Sequence, residues 1–193
     1  MSSFFIYTTL ILALSRLGGM KFSLETTIFG EENLMFRTTI MQKGEKIRVE
    51  ETLPNSEEIG LVLISDSKEC WYIPAVGKVS QIPPIKSALE VIGIEQEALK
   101  KDIGIKAKEI PATKALKKEV AQEIVRYKEY METEEMGQLP KVIEVYDLKD
   151  KLQKRTVILN LEEDLNLSDE LFDKNKVTFS DKAKEIAKKS HFE

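Results

Sequence analysis

Between residues 21 and 82 the side chains alternate in character at every second position, broken only by short polar turns. That rhythm limits what the chain can fold into. In "KFSLETTIF", Phe22, Leu24, Thr26 and Ile28 alternate with Ser23, Glu25 and Thr27. A period of two puts the two sets on opposite faces of a strand. After the turn "GEEN", "LMFRTTIMQ" sets Leu34, Phe36, Thr38 and Ile40 against Met35, Arg37, Thr39 and Met41. "KIRVEETL" places Ile47, Val49 and Glu51 opposite Lys46, Arg48 and Glu50, and "IGLVLIS" is apolar on both faces. "CWYI" and "VSQI" then flank the turn "PAVGK". Five or six short strands with brief turns describe an antiparallel meander. Charges on one face of several strands imply a wet side and a covered side.

The period changes in "PPIKSALEVIGIEQEALKKDIGI" (83–105), where Ile85, Leu89, Ile92, Leu99 and Ile103 recur at near-helical spacing. Gly93 divides this run into two short helices. An apolar helical stripe following a sheet with one greasy face is a natural cover for that face. Residues 112–133 fit two patterns. Leu116, Val120, Ile124, Tyr127 and Met131 suit a helix capped by Thr113, whereas 123–130 also alternate as a strand would. Periodicity alone prefers the helix. Strands return in "KVIEVYD" and "LQKRTVILNL" around the hairpin turn "LKDK" (148–151). "NLSDELF" (166–172) reads as a helical turn capped by Ser168, and "TFSDKAKEIAKK" (178–189) as a C-terminal helix. With no internal repeat or low-complexity linker, residues 20–178 form one domain, preceded by an apolar segment (1–19) and followed by a helical tail (179–193).

Composition narrows the chemistry. A net charge of −4, with both signs mixed along the chain, gives no reason to expect nucleic acid. The single histidine, His191, lies at the C-terminus and the single cysteine, Cys70, has no partner. Zinc clusters and Ser-His-Asp or Cys-His arrangements therefore lack their parts. There is no phosphate-binding glycine loop. The expectation is a protein without cofactor or metal and without catalytic residues; a carboxylate-based hydrolase is the one enzymatic alternative. "FFIYTTLILAL" (4–14) is too short to span a bilayer as a helix. Three readings fit it: a signal peptide, a retained helix packed on the domain, or a weak membrane anchor.

Two segments resemble the periplasmic lipoprotein-sorting carrier (LolA-like) superfamily, that of outer-membrane lipoprotein-sorting proteins. The first is "MQKGEKIRVEE" continuing through "LVLISDSKECWYIPAVGKVSQIPP"; the second is "YKEYMETEEMGQLPKVIEVYDLKDKLQKRTVILNLEEDLNLSDELF". The resemblance implies an α+β fold: a strongly curved antiparallel sheet forming an open half-barrel, with helices covering its concave face. It also implies a strand at about 122–133, against the helical periodicity.

The function it implies is a non-enzymatic cell-envelope protein, periplasmic or extracytoplasmic and without a stable membrane span. Such a protein would carry or sense a lipid, an acylated protein or another hydrophobic ligand. Expected cavity-lining residues are Phe36, Ile40, Leu63, Trp71, Ile73, Leu89, Ile92, Ile143 and Val145, each of which would serve equally as ordinary core. The alternative is an envelope protein-interaction or regulatory module that binds a protein partner and no lipid.

Overall fold

The computed structural model describes residues 18–94, 109–111, 124–134 and 136–190. The apolar stretch at 4–14 and the candidate helix positions Leu99, Ile103, Leu116 and Val120 lie outside the described residues. The alternating stretches form β1 (Gly19–Ile28), β2 (Leu34–Lys43), β3 (Lys46–Thr52), β4 (Ile59–Ser65), β5 (Cys70–Pro74) and β6 (Ser80–Ile82). A helix, α1 (Ala88–Ile92), and a short strand, β7 (Glu109–Pro111), come next. They are followed by β8 (Ile124–Thr133), β9 (Gly137–Tyr146) and β10 (Leu152–Leu165). Two 3-10 turns, Asp169–Phe172 and Lys174–Lys176, lead to the C-terminal helix α2 (Asp181–Ser190).

All ten strands belong to one antiparallel sheet in the order β6-β5-β4-β3-β2-β1-β10-β9-β8-β7. Two meanders are joined where β1 pairs with β10, so the first and last long strands form the centre. The sheet does not close on itself. Its register shifts between Ser23 and Leu24, between Glu51 and Thr52, and between Leu152 and Lys154. Such bulges add local twist and bend the strand that carries them, which is how an antiparallel sheet curves into a half-barrel.

Register assigns the faces. Phe22 pairs with Ile40, Ile40 with Val49, and Val49 with Leu63, so these side chains point the same way. On the other half of the sheet, Ile143 pairs with Tyr127 and Thr156 on that same side. Met20, Phe22, Leu24, Ile40, Ile47, Val49, Leu139, Ile143 and Ile158 are buried there together with Leu89 and Ile92 of α1. At about 1.5–3 kcal/mol for each large apolar side chain removed from water, this concave cluster is the main source of stability. A smaller cluster lies on the opposite face, where Val62, Ile64 and Ile73 pack under Val177 and Phe179. This explains why β4 is apolar on both faces. It also places α2 on the convex side, where Ser180 Oγ donates to Glu58 Oε2 at 2.6 Å and Ala183 is buried.

Residues 124–133 form a strand, as the family resemblance implies, and not the helix that periodicity favours. The reason is tertiary. Val125 and Tyr127 pack against the concave cluster, while β9 supplies the hydrogen-bonding partner for the whole length of β8. Spacing along one segment carries no information about either.

Candidate functional site: a cavity under helix α1

Helix α1 is five residues long, too short to be stable alone, and so depends on what holds it. The Ser87 hydroxyl accepts from the Glu90 amide, and Gly93, at φ +81°, closes the C-terminus in the left-handed region. The sheet supplies the remaining partners. Buried Gln42 of β2 accepts from the Ala88 amide at 2.9 Å. Ser65 Oγ of β4 accepts from the Ile85 amide at 2.9 Å. The Tyr127 hydroxyl of β8 donates to the Gly93 carbonyl at 3.0 Å. Three strands from both halves of the sheet thus pin one turn and a half of helix over the concave face.

Beside the helix lies a cavity of about 200 Å³. Its floor is apolar: Leu24, Val49 and Leu63 from the sheet, Val91 and Ile92 from α1. Thr38, Glu51 and Leu61 stand in register with Leu24, and Phe36, Thr26 and Thr156 form the row beyond, with the Thr26 and Thr156 hydroxyls 3.0 Å apart. Ile28, 42% exposed, and Lys154 form the outermost layer. Burial pushes the Glu51 carboxyl above the ordinary carboxylate range, partly offset by the positive charge of Lys154.

Phe36, Leu63 and Ile92 line this cavity. Ile40, Leu89 and Ile143 belong to the buried cluster that adjoins it. Val145 pairs with Val125 and Lys154 and stands two residues beyond Ile143, on the same face. Trp71 and Ile73 are not brought to this side. They pair with Ile64 and Val62, and both belong to the convex face. Trp71 carries the Lys174 ammonium 3.3 Å above its ring centroid, and its Nε1–H is buried without a partner among the described residues. A second cavity of about 230 Å³ adjoins it, lined by Ile64, Phe172 and a mixture of charges that includes Lys46, Asp66 and Lys174.

Glu51, Lys154 and the threonines were not among the residues expected at the site. For Glu51 a signal exists: in "KIRVEETL" it shares the face of Ile47 and Val49, so a charge sits on an otherwise covered side. Cys70 is fully buried opposite Ser65, and burial raises its thiol above the ordinary range, which leaves it a packed residue and not a nucleophile. No helix among the described residues is long and apolar enough to cross a membrane, and no group of acidic, cysteine or histidine residues among them could hold a metal.

The fold and the cavity define a class: an open antiparallel half-barrel with a helix laid across its concave side. No family model matches the chain, and no curated protein does. Solved structures do. An uncharacterized conserved protein from Thermus thermophilus is similar over 91% of this chain and 96% of that one, with 16% identity and a TM-score of 0.50. A DUF1329 family protein from Desulfovibrio piger is similar over 88% and 97%, with 11% identity and a TM-score of 0.50. A LolA superfamily protein from Nitrosomonas europaea aligns over 88% and 98%, with 12% identity and a TM-score of 0.48. At these identities the Thermus and Desulfovibrio structures establish a shared fold that spans nearly the whole of each chain.

Proposed function

We infer that this chain is a non-enzymatic carrier or sensor of the cell envelope, periplasmic or extracytoplasmic, that holds an acyl chain or another apolar ligand between α1 and the concave face. The observation that carries the reading is the cavity with an apolar floor on the helix-covered side. The motif resemblance to lipoprotein-sorting carriers supports it. Burying a methylene contributes about 0.8 kcal/mol, so several carbons on this floor give useful affinity without any catalytic group. The volume of about 200 Å³ lies below the ~300–1,000 Å³ usual for small-molecule pockets. The cavity as it stands takes part of a chain, and a longer one requires α1 to move.

Native mass spectrometry after mild purification, followed by lipid extraction, tests this. A bound acyl mass, with uptake of a fluorescent fatty acid that Val91→Trp blocks, is the expected result. A clean unliganded mass together with no uptake would sink the carrier reading. It would also favour an envelope interaction module, whose peptide partner would add to the short edge strand β6.

A further inference from the structure

The cavity wall carries two charges that make no close ion pair with each other or with another described residue. Glu51 on β3 and Lys154 on β10 both line it, and neither makes a hydrogen bond or an ion pair with a described residue. Elsewhere some half-buried charges are paired closely, while half-buried Glu163 keeps one oxygen without a partner among the described residues, and Lys154 itself is exposed. Arg48 and Glu50, on the neighbouring positions of β3, meet at 2.6 Å, and buried Glu144 is held by Lys128 and Tyr146. A carboxylate on a largely apolar wall is costly unless something complements it, and the ammonium near enough to influence it does not reach it. The hydroxyls of Thr26 and Thr156 lie in the row between those of Glu51 and Lys154, and half-exposed Ile28 pairs with Lys154 in the outer one. The arrangement is an apolar floor with one negative group at its side and one positive group further out, set apart.

We propose that the ligand of this cavity is a zwitterionic amphiphile, its cationic group on Glu51, its anionic group on Lys154 and its chain on the floor formed by Leu24, Val49 and Leu63. The assignment rests on the carrier reading and adds the class of head group. A cationic group on half-buried Glu51 recovers what its burial forfeits, and an anionic group gives exposed Lys154 a charge-assisted partner at the cavity mouth. A fatty acid would satisfy Lys154 and place its own negative charge beside Glu51; an alkylamine would do the reverse.

The test compares four probes with the same saturated chain, each kept below micelle formation: lauroyl lysophosphatidylethanolamine, lauric acid, dodecylamine and dodecyl maltoside. Displacement of a bound fluorescent fatty acid reports affinity. The zwitterion is expected to bind about tenfold more tightly than any of the others. Glu51→Gln should remove its advantage over lauric acid, and Lys154→Ala its advantage over dodecylamine, with thermal melts showing both variants folded. Equal affinities for all four probes, unchanged in both variants, would overturn the head-group assignment and leave the apolar cavity standing. A preference for lauric acid over the zwitterion would overturn it as well. Binding of none of the four would remove the carrier reading itself.

Discussion

Glu51 and Lys154 line one cavity on the concave side of the sheet, although two whole strands, β2 and β1, lie between theirs. In a flat sheet, strands three positions apart are separated by roughly 14 Å, too far for one side chain to matter much to another in salt. Curvature closes that gap. The charge of Lys154 then bears on the ionisation of Glu51, and the two give an otherwise largely apolar cavity its charged groups.

Glu51 makes this site sensitive to pH in a definite direction. Burial raises its folded-state pKa above the unfolded value, with Lys154 partly opposing the shift. The folded state therefore holds the proton longer than the unfolded chain does. The resulting penalty is absent in acid, below the ordinary carboxylate range, and grows as pH rises through the raised value. Glu51→Gln should melt higher than the parent at neutral pH, with the difference shrinking toward acid. A series of thermal melts from neutral pH to about pH 4 measures this, and an unchanged difference across it would contradict the account.

Glu144 acts with the opposite sign. It is buried on the convex side; burial raises its pKa, but hydrogen bonds from Lys128 and Tyr146 and the nearby Arg155 guanidinium outweigh that and hold it below the ordinary range. Its contribution is present above the unfolded carboxylate pKa and is lost as pH falls through the lowered value. Glu144→Gln should cost about 1–2 kcal/mol at neutral pH and little in acid, since Lys128 is partly exposed and solvent screens the pair. Urea unfolding at two pH values reads out the difference.

Gln42 ties the sheet to α1, and its loss should loosen the helix. Gln42→Leu leaves the buried Ala88 amide without its acceptor, at a cost of about 1–3 kcal/mol. The helix is short enough that this cost should appear locally. Amide exchange at 88–92 is expected to speed up more than exchange in β1 and β10. Uniform acceleration across the sheet would show that α1 does not move independently.

Trp71→Ala should lower stability and leave ligand uptake intact. The ring lies on the convex face, under the Lys174 ammonium and beside Ile64 and Phe179. Removing it forfeits that packing, about 2–4 kcal/mol for a half-buried tryptophan. Uptake of a fluorescent fatty acid by the folded variant should match the parent. Loss of uptake with the fold preserved would move the site to the other side of the sheet.

Sequence alternation specified the strands. Phe22, Leu24, Ile40, Ile47 and Val49 were legible as one-sided positions, and the structure buries all five on one face. The break at Gly93, the cap at Ser168 and the turn at 148–151 were legible too, because each depends on chemistry within a few residues. A period of two separates the faces of a strand but does not say which face is concave. Alternation alone therefore groups Trp71 and Ile73 with Phe36 and Leu63, whereas the pairing of β5 with β4 sets them on opposite sides. The strand at 124–133 was hidden for a related reason, since its stabilising partners on β9 lie beyond the window in which periodicity is read. Only the assembled sheet decided that Glu51 and Lys154 share a cavity. Alternation is fixed by local backbone geometry, whereas curvature and face depend on bulges and register between strands distant in the chain.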